Sequence, residues 1–338
     1  MFFSNQGSRF RFSFKNRALS LPTLFFLAIA GTFLYFLVVR FDINPGEIWT
    51  NLKDSNPWFL LLAFLLHYTA FLFRGVRWRL LLSNVEGPGE PPPSVAYCGS
   101  LIFISWFVNS VTFFRLGDAY RAFMYSNERG RSFPQTIGTV LAERIVDVFL
   151  MFSLLVVAAL TLLAVGVGTP WIFLALASAL PVALILGLLI MRFLKSRALR
   201  FVPGPLGQAY LRFHQGALGS FRNLPLIVLF GALGWLAEVA RLFFVAEAMG
   251  FSLSIPLIVF ATLANAILTL LPLGGLGVAE FGVAELLTRS LTRSAAGSVV
   301  ILDRAISYVS VIILGGIFFL VRNIVMKKRA GRGTVILD

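Results

Sequence analysis

Long apolar stretches separated by short basic ones run through most of this chain. Residues 21–39 carry no charged side chain, and residues 148–191 carry none over 44 positions. A helix needs about 20 apolar residues to cross a bilayer, so the first stretch predicts one span. The second stretch is long enough for two spans, which we predict at about 136–165 and 170–191, with a break near 166–170. Further spans are predicted at about 58–79, 224–248 and 297–321.

Two other apolar stretches, about 95–125 and 256–290, are broken by polar and glycine-rich turns. If the first of them crossed the membrane, the basic clusters that follow would lie outside, against the usual enrichment of Lys and Arg in cytoplasmic loops. We therefore expect both stretches to be re-entrant hairpins, which places every basic cluster on one side. An ordinary eight-span bundle is the alternative. The predicted fold is an all-α polytopic membrane protein with six full spans and two re-entrant hairpins.

Composition agrees with a membrane protein and sets its orientation. The chain is 58% hydrophobic and only 13% charged, with a net charge of +14, whereas soluble domains average about 25% charged residues. The positive charge suits cytoplasmic loops better than nucleic-acid binding, because it clusters between spans. We expect a prokaryotic inner-membrane protein with both termini cytoplasmic. The predicted units are a basic N-terminus (1–20), one membrane domain (21–325, with halves at about 21–166 and 170–325) and a basic tail (326–338).

An internal repeat is visible in the polar positions. The pair Glu143–Arg144 returns 160 positions later as Asp303–Arg304, and the same offset carries Leu116–Gly117 onto Leu276–Gly277. Each copy has three predicted spans and one hairpin. Because three is odd, the two copies would have opposite orientations, which is a common plan in secondary transporters.

Charged residues inside the apolar segments are the candidates for function, since an ionisable group at the bilayer centre costs about 2.5–3.5 kcal/mol. Such groups are expected to face partners or a polar cavity, and half-helix N-termini at glycine turns would add a positive dipole end. The pattern predicts a cavity that receives an anionic head group. Its candidate binding residues are Arg115, Asp118, Arg121, Glu143, Arg144, Asp147, Pro272, Gly274, Gly275, Gly277, Glu280, Asp303 and Arg304.

The alternative for the two acid–base pairs is that they are ion pairs between buried helices. Glu238 and Arg241, at i and i+3 in one span, allow either interpretation. For Arg74 and Arg77 an interfacial position is favoured, with the guanidinium groups reaching water.

No catalytic set is apparent. The glycine run at 274–277 lacks the Lys-Ser/Thr of a nucleotide P-loop. The chain has one cysteine and two histidines, so a disulfide within the chain and a His-rich metal site are excluded. We expect no cofactor.

Two blocks of sequence resemble a known family. Residues 115–123 (RLGDAYRAF) with 141–147 (LAERIVD), and 271–281 (LPLGGLGVAEF) with 303–308 (DRAISY), resemble the transmembrane region of lysylphosphatidylglycerol synthases. Members are also labelled flippase-like or related to dolichol-phosphate-glucose synthetases. The resemblance covers about 20–325 and implies that this region moves a modified phospholipid between leaflets. It also implies that synthesis belongs to a C-terminal aminoacyl-tRNA-dependent domain, which we expect this chain to lack.

The leading hypothesis is a lipid translocase that moves an anionic phospholipid or a lipid-linked sugar. The alternatives are a membrane-embedded glycosyl or aminoacyl transferase, with Asp118 and Glu280 as its candidate acids, and a partner that anchors a separately encoded transferase. Membrane lipids are the expected partners, and nucleic acid is not.

Overall fold

The structure is a computed structural model that describes residues 45–86, 91–112, 116–164, 171–193, 204–269 and 277–333. These residues form twelve α-helices and a π-helical turn, and none of the residues within these ranges is in a strand. The helices are α1 (Pro45–Lys53), α2 (Pro57–Ser83), α3 (Val95–Val111), α4 (Gly117–Arg129), α5 (Phe133–Ala164), α6 (Trp171–Phe193), α7 (Gly204–Gly219), α8 (Leu224–Ala248), α9 (Ile255–Leu268), α10 (Val278–Leu287), α11 (Arg293–Arg304) and α12 (Ser310–Gly333), with the π turn at Ala305–Val309.

The chain is an all-α polytopic membrane protein. Within the described ranges four helical segments are long and apolar enough to span a bilayer, namely α2, α5, α8 and Arg293–Met326. They coincide with four of the six predicted spans. The predicted span at 170–191 is helix α6, which holds a shorter apolar segment, Pro181–Met191. The predicted span at 21–39 lies outside the described residues.

Helix starts follow local capping chemistry. The Asn56 side chain accepts a hydrogen bond from the Trp58 N–H at 2.9 Å, and Pro57 occupies the first turn of α2, where its missing N–H costs nothing. Ser94 caps α3, and Thr292 caps α11 by accepting from Ala295. The left-handed Gly130 (φ 64°) ends α4. Short polar caps therefore separate the apolar helices.

Helices α2 and α8 pack side by side and run in opposite directions. The Asn56 N–H, before α2, donates to the Ala248 carbonyl at the end of α8 at 2.7 Å. At the other end, the Asn84 side chain donates to the carbonyl of Ser220, which precedes α8. Helix α3 follows the end of α2, and α9 follows the end of α8. Helices α3 and α9 therefore begin at opposite edges of the bundle.

The stretch predicted as the first hairpin folds back on itself. Helix α3 leaves one edge and α4 returns to it, since the Tyr97 hydroxyl in the first turn of α3 donates to Glu128 near the end of α4 at 2.7 Å. A Cβ on Gly117, at the start of α4, would lie 1.9 Å from the Ser105 carbonyl oxygen of α3. Only glycine allows this close return of the chain.

Corresponding elements of the two halves begin at a constant offset. Val95 and Ile255, the first residues of α3 and α9, are 160 positions apart, and so are Phe133 and Arg293, the first residues of α5 and α11. The sequence offset seen in the polar motifs therefore extends to helix starts.

Candidate functional site

A cavity of about 220 Å³ lies between the helices of the two halves. Its walls come from α2, α3, α5, α8, α9, α10, the last residue of α11 and the π turn. The charged residues that line it are Arg74, Glu143, Arg144, Asp147, Glu238, Arg241, Glu280 and Arg304. Amide, hydroxyl and indole groups complete the polar lining, at Asn109, Ser110, Thr112, Thr262, Asn265, Thr269, Ser307, Tyr308, Trp106 and Trp235.

Arg77 of α2 holds the two acids of α5. Its Nη1 donates to Asp147 Oδ1 at 2.6 Å and its Nη2 donates to Glu143 Oε1 at 2.8 Å. The Arg77 side chain is 1% exposed. Arg121 of α4 reaches the other oxygen of Glu143, with Nη2 at 2.6 Å from Oε2, and its guanidinium lies over the Trp78 ring. Two arginines from two helices therefore neutralise the buried acids of α5.

Arg144 extends from the same helix toward the cavity. Its Nε and Nη2 donate to the two carboxylate oxygens of Asp118, both at 3.0 Å, and its Nη1 donates to Asp147 at 3.3 Å. This bidentate geometry fixes the plane of the guanidinium. The Arg144 side chain is 41% exposed, more than any other ion-paired arginine in the described ranges.

A second cluster joins α2 to the C-terminal half. Arg74 donates to Glu238 at 2.9 Å and lies over the Trp106 ring. Arg241 binds both oxygens of Asp303, through Nε at 2.8 Å and Nη2 at 3.2 Å, and its Nη1 donates to Glu238. The four charged side chains are all buried.

Arg304 is held by residues of α9 and α10, as Arg144 is held by Asp118 of α4. Its Nε lies 2.9 Å from Glu280 Oε1, and its Nη2 donates to Asn265. Glu280 also caps α10, since its Oε2 accepts from the Gly277 N–H at 2.6 Å, and Gly277 has a positive φ of 83° that favours glycine. The π turn begins immediately after Arg304. Such turns occur often at functional sites.

Most of these residues are buried, and together they form a set of ion pairs, the buried charge network, that is electrically balanced. Within the described ranges it contains six arginines and six carboxylates. The members are Arg74, Arg77, Arg121, Arg144, Arg241, Arg304, Asp118, Glu143, Asp147, Glu238, Glu280 and Asp303. Balance matters in a bilayer, because an uncompensated buried charge typically costs about 3–5 kcal/mol.

The structure brings five candidate residues to the cavity wall: Glu143, Arg144, Asp147, Glu280 and Arg304. Asp118, Arg121 and Asp303 belong to the buried charge network behind that wall, where each is paired with a network member. Gly277 is the N-cap of α10. The remaining candidates, Arg115, Pro272, Gly274 and Gly275, lie outside the described residues.

Each of the sequence-adjacent charges in the two motifs pairs with a residue other than its neighbour in the chain. Arg144 pairs with Asp118 and Asp147 rather than with Glu143, and Arg304 pairs with Glu280 rather than with Asp303. Adjacent residues on a helix lie about 100° apart, so they point to different neighbours. Glu143 and Asp303 instead meet arginines from helices α2, α4 and α8.

The interfacial position favoured for Arg74 and Arg77 is wrong. Both are buried, at 8% and 1% exposure, and both bind carboxylates. A second constant offset in the sequence relates these arginines to the other charged pair. Arg74 is 164 positions before Glu238, and Arg77 is 164 positions before Arg241. Glu238 and Arg241 themselves are paired, as their i, i+3 spacing allows.

Several known proteins are similar in sequence to this chain over most of its length. The chain is 30% identical to a UPF0104 membrane protein of Methanocaldococcus jannaschii over 66% of this chain and 98% of that protein. It is 27% identical to a UPF0104 membrane protein of Methanothermobacter thermautotrophicus over 86% of this chain and 90% of that protein. A shorter match, 28% identical over 135 residues, is to the glycosyltransferase AglD of Haloferax volcanii, covering 40% of this chain and 21% of AglD.

The family model for the lysylphosphatidylglycerol synthase TM region matches residues 24–315. This range contains every helix from α1 to α11, the cavity, and both sequence blocks that carry the resemblance. The chain therefore belongs to the family of the lysylphosphatidylglycerol synthase TM region.

Proposed function

We propose that the protein is a lipid translocase that moves an anionic phospholipid or a lipid-linked sugar between leaflets through the cavity. One observation carries this proposal. Arg144 and Arg304, which are 160 positions apart and lie within candidate spans, line the same polar cavity from the two halves. Guanidinium groups are strong partners for phosphate, because their N–H groups match its oxygens in pairs.

The arrangement of the two halves supports an inverted repeat around this cavity. Helices α3 and α9 begin at opposite edges, and α5 and α11 begin at the matching offset. Gly117 and Gly277 begin the returning helices α4 and α10, from which Asp118 and Glu280 hold the cavity arginines. In transporters built this way, the substrate binds between the repeats near the bilayer midplane. The two hairpins are re-entrant in this proposal.

The proposed orientation places the N-terminus, the α4–α5 connection, the segment at 192–223 and the C-terminus in the cytoplasm. The concentration of Lys and Arg in these stretches supports it. The α10–α11 connection then faces outside.

Cysteine labelling tests this orientation. In a Cys98→Ser background, Asn127→Cys and Gln208→Cys should react with a membrane-impermeant maleimide from the same side, and Ser290→Cys should react from the other. All three positions are exposed. Labelling of Asn127→Cys and Gln208→Cys from opposite sides would contradict both the re-entrant hairpin and the inverted repeat.

The chemistry of the cavity supports transport more than catalysis. Each of the six carboxylates of the buried charge network is within ion-pair distance of an arginine. A carboxylate held by a guanidinium is a poor general base, because the arginine stabilises its ionised form. The partial match to AglD supports the second candidate, in which this chain acts beside, or as part of, a glycosyltransferase.

Reconstitution distinguishes the two candidates. The purified protein is placed in phosphatidylcholine vesicles that carry NBD-labelled phosphatidylglycerol, or in separate samples an NBD-labelled polyprenyl phosphate sugar. Dithionite reduces only the probe in the outer leaflet, so it measures how fast labelled lipid arrives there from the inner leaflet. We expect this rate to be at least about tenfold higher than in protein-free vesicles, which corresponds to lowering the barrier by about 1.4 kcal/mol. Rates equal to those of protein-free vesicles would contradict translocation. A covalently altered lipid, formed by the purified chain with a sugar donor, would favour the transferase.

A further inference from the structure

His67 of α2 is a titratable group that the proposed transport route does not use. Its side chain is fully buried, and the rings of Tyr68, Phe71 and Trp106 surround it with centroids at 5.3, 5.5 and 6.1 Å. The chain has only one other histidine, His214. Buried aromatic surroundings normally suit an apolar residue, so a polar ring here requires a specific partner.

Arg241 provides that partner and thereby fixes the state of the ring. Its Nη1 lies 3.1 Å from His67 Nδ1. A guanidinium can only donate, so Nδ1 must accept and the imidazole is neutral, with its hydrogen on Nε2. His67 Nε2 is buried and has no hydrogen-bond partner in the described part of the chain.

A proton on Nδ1 would change this arrangement. Glu238 Oε2 lies 3.6 Å from Nδ1 and could accept a hydrogen bond from a protonated Nδ1 after a small movement. The new N–H could not accept from Arg241, and two cations about 3 Å apart would repel. Arg241 keeps its two bonds to Asp303 when it loses the one to the ring. Protonation of Nδ1 would therefore break the hydrogen bond between Arg241 and His67. The imidazolium would then attract the Glu238 carboxylate.

The charged groups around His67 all belong to the buried charge network. Helix α8 contributes Glu238 and Arg241, α11 contributes Asp303 behind Arg241, and α2 itself contributes Arg74 about two turns on. From α3 the facing group is the Trp106 ring. Glu238 holds Arg74, so a carboxylate drawn toward His67 leaves the Arg74 guanidinium freer to bind a ligand. Arg74, Glu238 and Arg241 all line the cavity.

The charge balance shows what such a proton would do. Within the described ranges the members of the buried charge network sum to zero, so a proton on His67 would add one positive charge beside them. An anionic head group in the cavity adds one negative charge, and a proton on His67 supplies the compensating positive one. We propose that His67 is a proton-binding site that co-binds one proton with each monoanionic head group, so that anionic lipid crosses with its charge compensated. This inference rests on the proposed function, since it names the ion that accompanies the substrate.

The first test compares anionic and zwitterionic probes in proteoliposomes at pH 5.5 and 7.5. The protonated fraction of a single titrating group rises at least about tenfold from pH 7.5 to pH 5.5 when its pKa is no higher than that of a free histidine. We expect phosphatidylglycerol exchange to be at least about tenfold faster at pH 5.5, and phosphatidylcholine exchange to be unchanged. In His67→Gln the amide oxygen still accepts from Arg241 but does not titrate, so the rate should be the same at both pH values. His214→Gln is the matched control and should behave as the parent does.

A pH dependence that survives in His67→Gln would overturn the proposal. Absence of exchange by the parent at both pH values would instead contradict the proposed function. The second test does not need transport and decides the proton site directly.

In the His214→Gln protein, labelled with ¹⁵N-histidine and placed in phosphatidylglycerol nanodiscs, one imidazole remains to be observed by NMR. We expect the neutral Nε2–H form at pH 7.5 and the doubly protonated ring at pH 5.5, with a lower midpoint in phosphatidylcholine nanodiscs. A ring that stays neutral from pH 5 to 8 in both lipids would overturn the proposal. The same midpoint in both lipids would also overturn it, because the proton would then be independent of the head group.

Discussion

Arg77→Met should cause the largest loss of stability of any single substitution in the described ranges. Arg77 donates to both Glu143 and Asp147, and its guanidinium is almost fully buried. Removing it leaves the buried charge network with one uncompensated negative charge. The expected cost is about 3–5 kcal/mol, a large fraction of the 5–15 kcal/mol that typically separates folded from unfolded protein. Thermal unfolding in detergent, followed by fluorescence-detected gel filtration, measures this loss.

Two variants distinguish the effect of charge balance on stability from the effect of losing the arginine side chain. Arg79→Met removes the same charge from the same helix, but Arg79 has no carboxylate partner within the described ranges. We expect its unfolding temperature to stay close to that of the parent. Arg77→Met combined with Asp147→Asn restores neutrality, since Glu143 keeps Arg121. It should recover most of the lost stability. Equal damage from Arg79→Met, or no recovery in the double variant, would mean that packing rather than charge balance dominates.

The helical framework was predictable because local signals bound each apolar segment. The predicted span at 224–248 matches helix Leu224–Ala248, which starts at a proline-containing first turn after a basic stretch. The span predicted at 136–165 matches Phe133–Ala164 within three residues. Length and hydropathy determine whether a segment crosses a bilayer, and both are properties of the segment alone.

The pairing of charges was not predictable by the same means. The sequence indicated that Glu143, Arg144, Asp303 and Arg304 line a cavity or join buried helices, but it did not name their partners. Each of these four residues has its nearest opposite charge on another helix. Partners of this kind depend on how helices pack. Arg74 and Arg77 were misassigned because they lie close to the basic loops. An arginine near a helix end can either extend its guanidinium group into water or pair with a buried carboxylate. Helix α2 is 27 residues long, so its arginines lie deeper than a 20-residue span would place them.

The repeat was the most informative sequence signal for the site. The 160-residue offset was found from Glu143–Arg144 and its copy, and it also relates the starts of α3 and α9 and of α5 and α11. It relates Ser105 to Asn265 as well. Ser105 donates to Asp118 of α4, and Asn265 accepts from Arg304, which Glu280 of α10 also binds. A constant offset between polar residues therefore identified corresponding positions although the sequence did not specify the partner of each charge.

Replacing both cavity arginines should abolish exchange of anionic lipid without unfolding the protein, if their carboxylate partners are neutralised with them. Arg144→Gln with Asp118→Asn removes one cation and one anion, and Arg304→Gln with Glu280→Gln does the same in the other half. A hydrogen bond to a charged group contributes about 1.5–3 kcal/mol, so each pair should slow phosphatidylglycerol exchange by about 10- to 100-fold. Phosphatidylcholine exchange should fall less, because that lipid carries no net charge.

The matched control is the ion pair between Arg322 and Glu128, at 2.7 Å. Arg322→Gln with Glu128→Gln also removes one cation and one anion, but neither residue lines the cavity. Its exchange rates should equal those of the parent for both lipids, at the same reconstituted amount of folded protein. If this control slows exchange as much as the two cavity variants do, the arginines act through stability alone. If only the cavity variants lose anionic exchange, Arg144 and Arg304 meet the phosphate on its way between leaflets, one from each half of the molecule.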